Sequence, residues 1–450
     1  MKAKLLFYQN KQELPNKLQK RDIDEFGTLF HCYHEAIDEL FVRITSSHEI
    51  SNQDWVGLGE SCYAFCEKQQ VELLQLDQEN SEKMNVTPFL EGFYKADYHF
   101  DRYLSDKRQE TVVMELPDQY KEHASEAKRI ANAVHVARDI CNEPANMLYP
   151  ESYADYLKKL FADTNVEVNI VSQQELGQAG FYAVETVGKG SVYQPCVAIL
   201  TLKNAEQDAM ALVGKGVTFD SGGVNVKTGS AIGEMKMDLG GAAAVTGAMK
   251  LLADSQVPCH VQAILPLVTN VSGANAYLPS DVIQYKDGPS VEVGNTDAEG
   301  RLILADGILY AQRQGIRQIV DIATLTGNVG QALGLKMAGI YSNDLKIVTK
   351  LYQYGQISGD FVWPLPLEKD YKRYLASQVA DISNMSSTPF GGSITAALFI
   401  EHFVEAATNW IHIDMANTSK FFPDGNKGAS GFGTKLLYEL VRNSEELWGE

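Results

Sequence analysis

The sequence predicts an α/β protein of two domains: a small N-terminal α/β domain and a larger C-terminal α/β domain around a mixed, largely parallel sheet. Two observations carry this. After Pro150, apolar β-rich runs alternate with helical periodicities, the pattern of strands joined by crossover helices over a buried sheet. Between 118 and 141, apolar residues recur every three to four positions (Tyr120, Ala124, Ala127, Ile130, Val134, Ala137, Cys141), which marks an amphipathic helix. Asn142-Glu143-Pro144 stops it, because Pro144 disfavours helical backbone in the residue before it. The helix divides the chain into an N-terminal domain at 1–117, a linker helix at 118–145 and a C-terminal domain at 146–450.

Along the first domain, residues 4–8 and 71–76 are short apolar runs that read as strands, and residues 28–41 read as helical. In the second domain, 166–171, 197–202, 210–213, 261–268, 318–323 and 410–415 are Val- and Ile-rich runs of strand length. Residues 242–252, 302–313, 394–406 and 433–441 carry helical spacing between them. Gly and Asp crowd the strand ends, where open α/β sheets place their ligand sites.

The 450 residues are ample for a large core, and 45% hydrophobic and 22% charged content is ordinary for a globular protein. A formal charge of −19 without any basic run repels phosphate backbones and argues against nucleic-acid partners. At the N-terminus only residues 5–8 form an apolar run, too short for a signal-peptide core of ~7–15 residues. The best later stretch, 263–268, contains Pro266 and falls far short of the ~18 residues of a membrane span. No membrane partner is expected, and a cytoplasmic location is. The six cysteines follow no framework spacing and read as reduced, structural thiols.

Four clusters can carry chemistry: 213–223 (VGKGVTFDSGG) followed by Lys227, 235–244 (MKMDLGGAAA), 295–302 (NTDAEGRL) and 321–327 (DIATLTG). The GKG at 214–216 lacks the third glycine of a dinucleotide fingerprint, and no P-loop or HExxH motif exists. A nucleophile elbow is also missing. What remains is acidic: Asp220, Asp238, Asp297 and Glu299, each in or beside a small-residue turn. Asp297 and Glu299 are two apart, so in an extended segment they project to one side. Carboxylates suit Mg, Mn and, in mixed sites, Zn, and buried without partners they would be prohibitively costly. Each acid alone also reads as a solvated loop residue, and Asp238 as a helix N-cap. On spacing alone, a metal site and these plainer roles both stay open.

These blocks resemble the signature blocks of the leucine aminopeptidase (cytosol aminopeptidase) family. The segment 139–150 (DICNEPANMLYP) is similar to the start of that family's catalytic domain, and 393–398 and 410–414 are similar to its later blocks. The resemblance spans roughly residues 130–440 and implies a metal-dependent aminopeptidase, with 146–450 as its catalytic domain. The implied reaction releases N-terminal residues from peptides, Leu, Met and other apolar ones favoured, through a water activated between two metals. Lys215, Asp220, Asp238, Asp297 and Glu299 fall on the family's ligands for two divalent cations, Mn or Zn. Lys227 and Arg301 fall on its catalytic pair, the arginine holding a bicarbonate. Met235, Thr324, Leu325, Gly327 and Ala429 fall near its pocket for the first side chain. The resemblance also implies a homohexamer.

Physical reasons accompany those roles. A lysine can donate a lone pair only when neutral, so adjacent dications must lower the pKa of Lys215 far below ~10.4. Arg301 carries a planar fork suited to a carboxylate-like anion. His412 reads as a satisfied core histidine or one that braces the site from behind. The chain departs from the family where Asn417 replaces a glycine in 414–419 (DMANTS); Asn tolerates left-handed backbone, so the turn is expected to survive. Two alternatives are a narrower dipeptidase, such as a Cys-Gly hydrolase, and a moonlighting nucleic-acid-binding scaffold.

Overall fold

A computed structural model of the chain describes residues 2–20, 25–33, 38–44, 49–76, 79, 82–108, 111–421 and 428–449. It divides into two compact units, Met1–His135 and Val136–Glu450.

The first unit holds five strands: β1 Lys2–Tyr8, β2 Leu29–Tyr33, β3 Asp38–Arg43, β4 Leu73–Gln75 and β5 Val113–Glu115. They form one sheet in the order β2-β3-β1-β4-β5. Helices α1 (Asn52–Lys68) and α2 (Val86–Ala96) share its core, which buries Leu5, Phe7, Val42, Leu58 and Phe89. At the start of α1, Ser51 Oγ accepts from the Asp54 N–H at 3.2 Å while the Ser51 N–H donates to Asp54 Oδ2 at 2.8 Å, a reciprocal cap.

Within the expected helix 28–41, the described residues are not helical: β2 takes 29–33 and β3 begins at Asp38, while 34–37 lie outside the described residues. Leu40 and Val42 enter one core, while Phe41 between them enters the cluster of Tyr8, Leu14 and Leu18. A strand apolar on both faces loses the two-residue alternation that would have marked it. Helix α3 (Lys121–Asn142) follows, close to the predicted span.

In the second unit the strands are β6 Glu167–Val171, β7 Cys196–Lys203, β8 Met210–Gly214, β9 Gly216–Gly223 and β10 His260–Val271. They continue with β11 Val282–Gln284, β12 Ser290–Glu292, β13 Gln318–Ala323, β14 Ala338–Ser342, β15 Val362–Pro364, β16 Ile382–Ser383 and β17 Asn409–Asp414. Nine build the main sheet in the order β15-β14-β17-β13-β8-β10-β7-β6, with β9 beside β10. The central run β17-β13-β8-β10 is parallel, and β14, β7 and β6 turn the sheet antiparallel toward its edges. The fold is therefore α/β with a mixed, mostly parallel sheet. Strands β11, β12 and β16 form a small separate sheet.

Helices α4 (Gly240–Asp254), α5 (Gly300–Arg313), α6 (Gly392–Glu401) and α7 (Thr434–Arg442) lie within five residues of their predicted ends. The largest discrepancy is α6, which stops at Glu401 rather than near 406. The Gln312 side chain takes over there, donating to Phe403 O at 2.9 Å and accepting from the Glu405 N–H at 2.7 Å. Val213, Ile264, Ile319 and Trp410 are fully buried in the sheet core. Among the described residues, no helix is long and apolar enough to cross a membrane, and Cys62, Cys66, Cys141, Cys196 and Cys259 are buried free thiols.

Candidate metal centre

The site lies at the carboxyl ends of the parallel strands. β8 ends at Gly214 and the backbone kinks at Lys215, whose N–H donates to Ile322 O (3.1 Å) and whose carbonyl accepts from the Ala242 N–H (2.9 Å). That wedges Lys215 between the end of β13 and the start of α4. β9 then pairs with β10 through two register shifts that set Asp220 opposite Asn270. The turn closing β9 needs glycine: Gly222 and Gly223 have φ of +90° and +64°, and a Cβ on Gly222 would lie 2.3 Å from Asn225 O. Asp238 caps the 3-10 helix Ser230–Met237 immediately before α4. Glu299 stands at the N-terminus of α5, where the helix dipole favours negative charge. The segment from Asp297 to Glu299 is a turn entering this helix rather than extended chain; tight winding, not strand alternation, brings the two acids together.

Oxygens of Asp220, Asp297 and Glu299 lie within 4.8 Å of one another. Lys215 Nζ reaches Asp238 Oδ1 at 2.8 Å, Glu299 Oε1 at 3.0 Å and donates to Thr324 O at 2.7 Å. Lys227 Nζ bridges Asp220 Oδ2 at 2.7 Å and Asp297 Oδ1 at 2.5 Å. The five expected ligands and Lys227 thus meet in one cluster. Arg301 is buried beside it, its Nη1 donating to Asn384 O at 2.9 Å.

Electrostatics explain the pairing. Burial, then the Asp220 charge, pushes the Glu299 carboxyl up to about 8. Burial likewise pushes Asp238 up to about 6 and raises Asp297. Burial works against both lysine ammoniums, yet the surrounding carboxylates more than compensate and hold both pKa values above the ordinary lysine range. Desolvation pulls Arg301 down to about 10, still cationic at neutral pH.

This donor set fits divalent cations. Two ammonium groups face four carboxylates, a local deficit of positive charge, and Asp238 Oδ2 is buried without a hydrogen-bond partner. Oxygen donors at this spacing are what Mn, Mg or, with the lysine nitrogen, Zn accept. Arg301 Nε is also buried and has no acceptor, as a guanidinium awaiting a small anion would be.

Several bracing residues escaped the sequence reading. Asn270 Nδ2 donates to Asp220 Oδ1 (2.8 Å) and Thr296 O (2.9 Å), fixing two acid-bearing segments at once. Asn384 accepts from the N–H groups of Gly294 and Asn295 and donates to Asn295 O and Ala298 O. Asp414, at the end of β17, accepts from the N–H groups of Leu325 and Thr326 and from Thr326 Oγ1, and Thr324 Oγ1 donates to Asp238 Oδ1 at 2.9 Å. A buried polar group at a strand end was the available signal for Asp414; Asn270 and Asn384 had none. His412 is fully buried against Asp321, Nδ1 to Oδ1 at 2.5 Å, and forms no hydrogen bond or ion pair with the four acids and two lysines of the cluster.

A cavity of about 510 Å³ opens beside the cluster, bordered by Lys227 and Asp238 and lined by Met235, Thr324, Leu325 and Gly327. Ala429, expected with them, is not in its wall. It is fully buried, its N–H donating to Asn142 Oδ1 and its carbonyl accepting from Arg138 Nε, each at 3.0 Å. Ala416, Asn417 and Ser419 line the cavity instead. Nor does Asn417 adopt left-handed backbone; the turn is kept by its side chain, whose Nδ2 donates to the carbonyls of Gly334 and Met337.

A parallel-sheet scaffold that gathers acids and lysines at its strand ends, beside a cavity, is the arrangement of a cation-binding protein of the α/β class. The match to known proteins makes this specific. Residues 135–438 match the family model described as the cytosol aminopeptidase family, catalytic domain, and the chain belongs to that family, whose members are metal-dependent aminopeptidases. It is 38% identical over 372 residues to a probable cytosol aminopeptidase of Syntrophotalea carbinolica, covering 79% of this chain and 74% of the relative. To the probable cytosol aminopeptidase of Chlorobium limicola it is 40% identical over 375 residues, with the same shares covered. The solved structure of the bottromycin maturation enzyme BotP superposes with a TM-score of 0.89 at 28% identity, covering 99% of each chain. A second BotP structure, in complex with Mn, gives 0.88 at 28% identity over 98% of this chain and 99% of that one.

Proposed function

We propose that this chain is a dinuclear metallo-aminopeptidase of the leucyl type, removing apolar first residues such as Leu and Met from peptides. The observation that carries the reading is the buried cluster of Lys215, Asp220, Asp238, Asp297 and Glu299 at one end of a largely apolar cavity. Those five residues would hold two divalent cations, Mn or Zn, which when bound supply Lewis acidity and lower the pKa of a coordinated water. Lys215 serves as a ligand only after giving up its proton, so cation uptake displaces protons from the cluster. Lys227, whose ammonium pairs with Asp220 and Asp297 and lines the cavity, would stabilise negative charge that develops on a reacting carbonyl there. Arg301, fixed by Asn384 O, would hold a bicarbonate-like anion, which when bound would supply a proton acceptor beside the cluster. The cavity lined by Met235, Thr324, Leu325 and Gly327 receives the first side chain. A second, more polar cavity shares Lys227 and Met235 with it and includes Asn225, Thr228 and Asn295; it receives the next residue.

The reading extends to a cytoplasmic homohexamer. Exposed apolar side chains such as Phe390, 80% exposed, support an assembly surface. The charge of −19 opposes a nucleic-acid role. The test is hydrolysis of Leu-p-nitroanilide by chelated protein reloaded with Mn, Zn or Co, with Cys-Gly as comparison substrate. Metal-restored cleavage of the leucyl substrate is expected; no turnover with any metal at full occupancy overturns the reading.

A further inference from the structure

The cavity beside the cluster is not apolar throughout. Glu234 and Lys420 both line it, and they form an ion pair. Glu234 lies four residues before Asp238 on the 3-10 helix Ser230–Met237, which at ~2 Å of rise per residue sets it ~8 Å along the axis from the cluster. That is the reach of a long side chain whose backbone sits at Asp238 and Lys227.

The partner is held just as firmly. Lys420 pairs in a β-bridge with Ala429, the guanidinium of Arg138 covers the ring of the adjacent Phe421 at 4.5 Å, and the Ser430 N–H donates to Ser419 O at 2.9 Å. The two charges therefore face the cavity from two independently anchored walls. Glu234 is 55% and Lys420 29% exposed, which leaves enough burial for each charge to be felt by a group inside the cavity.

We propose that the Glu234–Lys420 pair determines which first side chains this cavity accepts. With the pair intact its charges cancel, so neither a cationic nor an anionic end gains a net partner and long uncharged side chains are favoured. Without Lys420, the Glu234 carboxylate would stand alone in the wall and select Lys and Arg; without the Glu234 charge, Lys420 would select Glu.

This rests on the aminopeptidase reading, and the experiment separates the two. Parent, K420M, the near-isosteric E234Q and the double variant are loaded with Mn, and kcat/KM is measured on the p-nitroanilides of Lys, Leu and Glu. The Lys-to-Leu ratio should rise about tenfold in K420M, and the Glu-to-Leu ratio about tenfold in E234Q, as one unit charge at partial burial produces. In the double variant both ratios return toward the parent values. Ratios that stay put, or that move in the same direction in both single variants, overturn the proposal. E234Q keeps the shape of the wall, so it decides the matter even if K420M unfolds. A metal-loaded parent that cleaves none of the three refutes the aminopeptidase reading itself, and the proposal falls with it.

Discussion

Replacing Lys215 by Met removes one charge from the centre of the cluster while keeping a straight, unbranched side chain of similar length. The residue is buried, 3% exposed, and its ammonium serves Asp238 Oδ1, Glu299 Oε1 and Thr324 O together. In chelated protein the substitution leaves those three oxygens without their donor. Removing one partner from a buried ion pair costs about 3–5 kcal/mol, which for a unit of this size lowers its thermal midpoint by roughly 5–8 °C. The sign of the pH dependence follows from the carboxyls. Glu299 already stands near 8 and Asp238 near 6, and both rise further without the ammonium. The folded variant then keeps protons that the folded parent releases near pH 6 and 8, so its deficit relative to the parent widens as the pH rises from about 6 toward 9 and narrows in acid. The measurement is thermal unfolding of chelated K215M and parent by near-ultraviolet circular dichroism at pH 5, 7 and 9. A midpoint within a degree of the parent at pH 9 would refute the claim that Lys215 neutralises these acids.

Three further outcomes follow from the same geometry. Glu299→Gln removes a carboxylate from the group of three oxygens within 4.8 Å; calorimetric titration with Mn should show affinity weakened at least about a hundredfold, with turnover lost in parallel. Asn384→Ala removes the side-chain bonds that fix the Gly294–Ala298 backbone and leaves the main-chain carbonyl that accepts from Arg301 in place; kcat should fall about tenfold or more while Mn affinity, measured separately, moves less. Asp306, fully buried with Oδ1 unpaired and Oδ2 accepting from the Val184 N–H at 2.9 Å, has its carboxyl pushed up to about 8 by burial. The parent should therefore lose stability as pH rises from about 4 to 8, and Asp306→Asn should flatten that slope in urea unfolding.

How much was legible in the sequence depended on where each signal is stored. Strand β13 was read to the residue and α3 nearly so, because buried central strands and amphipathic helices write their burial into local periodicity. Strands β2 and β3 failed the same test because Phe41 faces one core while Leu40 and Val42 face another. The acids and lysines of the cluster sat in recognisable blocks. Asn270 and Asn384 did not, since their value lies in bridging segments that only the fold brings together. Ala429 was misplaced for a related reason: it sits on the return arm of the segment whose outward arm, through Ala416 and Ser419, faces the cavity.

The pairing of Lys215 and Lys227 with the acids bears on the order of events when this protein is made. Charge carried by the chain itself is present at the instant of collapse, whereas a dissolved cation is present only at the concentration its surroundings hold. With both ammonium groups seated among Asp220, Asp238, Asp297 and Glu299, two of the four negative charges are offset by the chain itself, at any cation concentration around it.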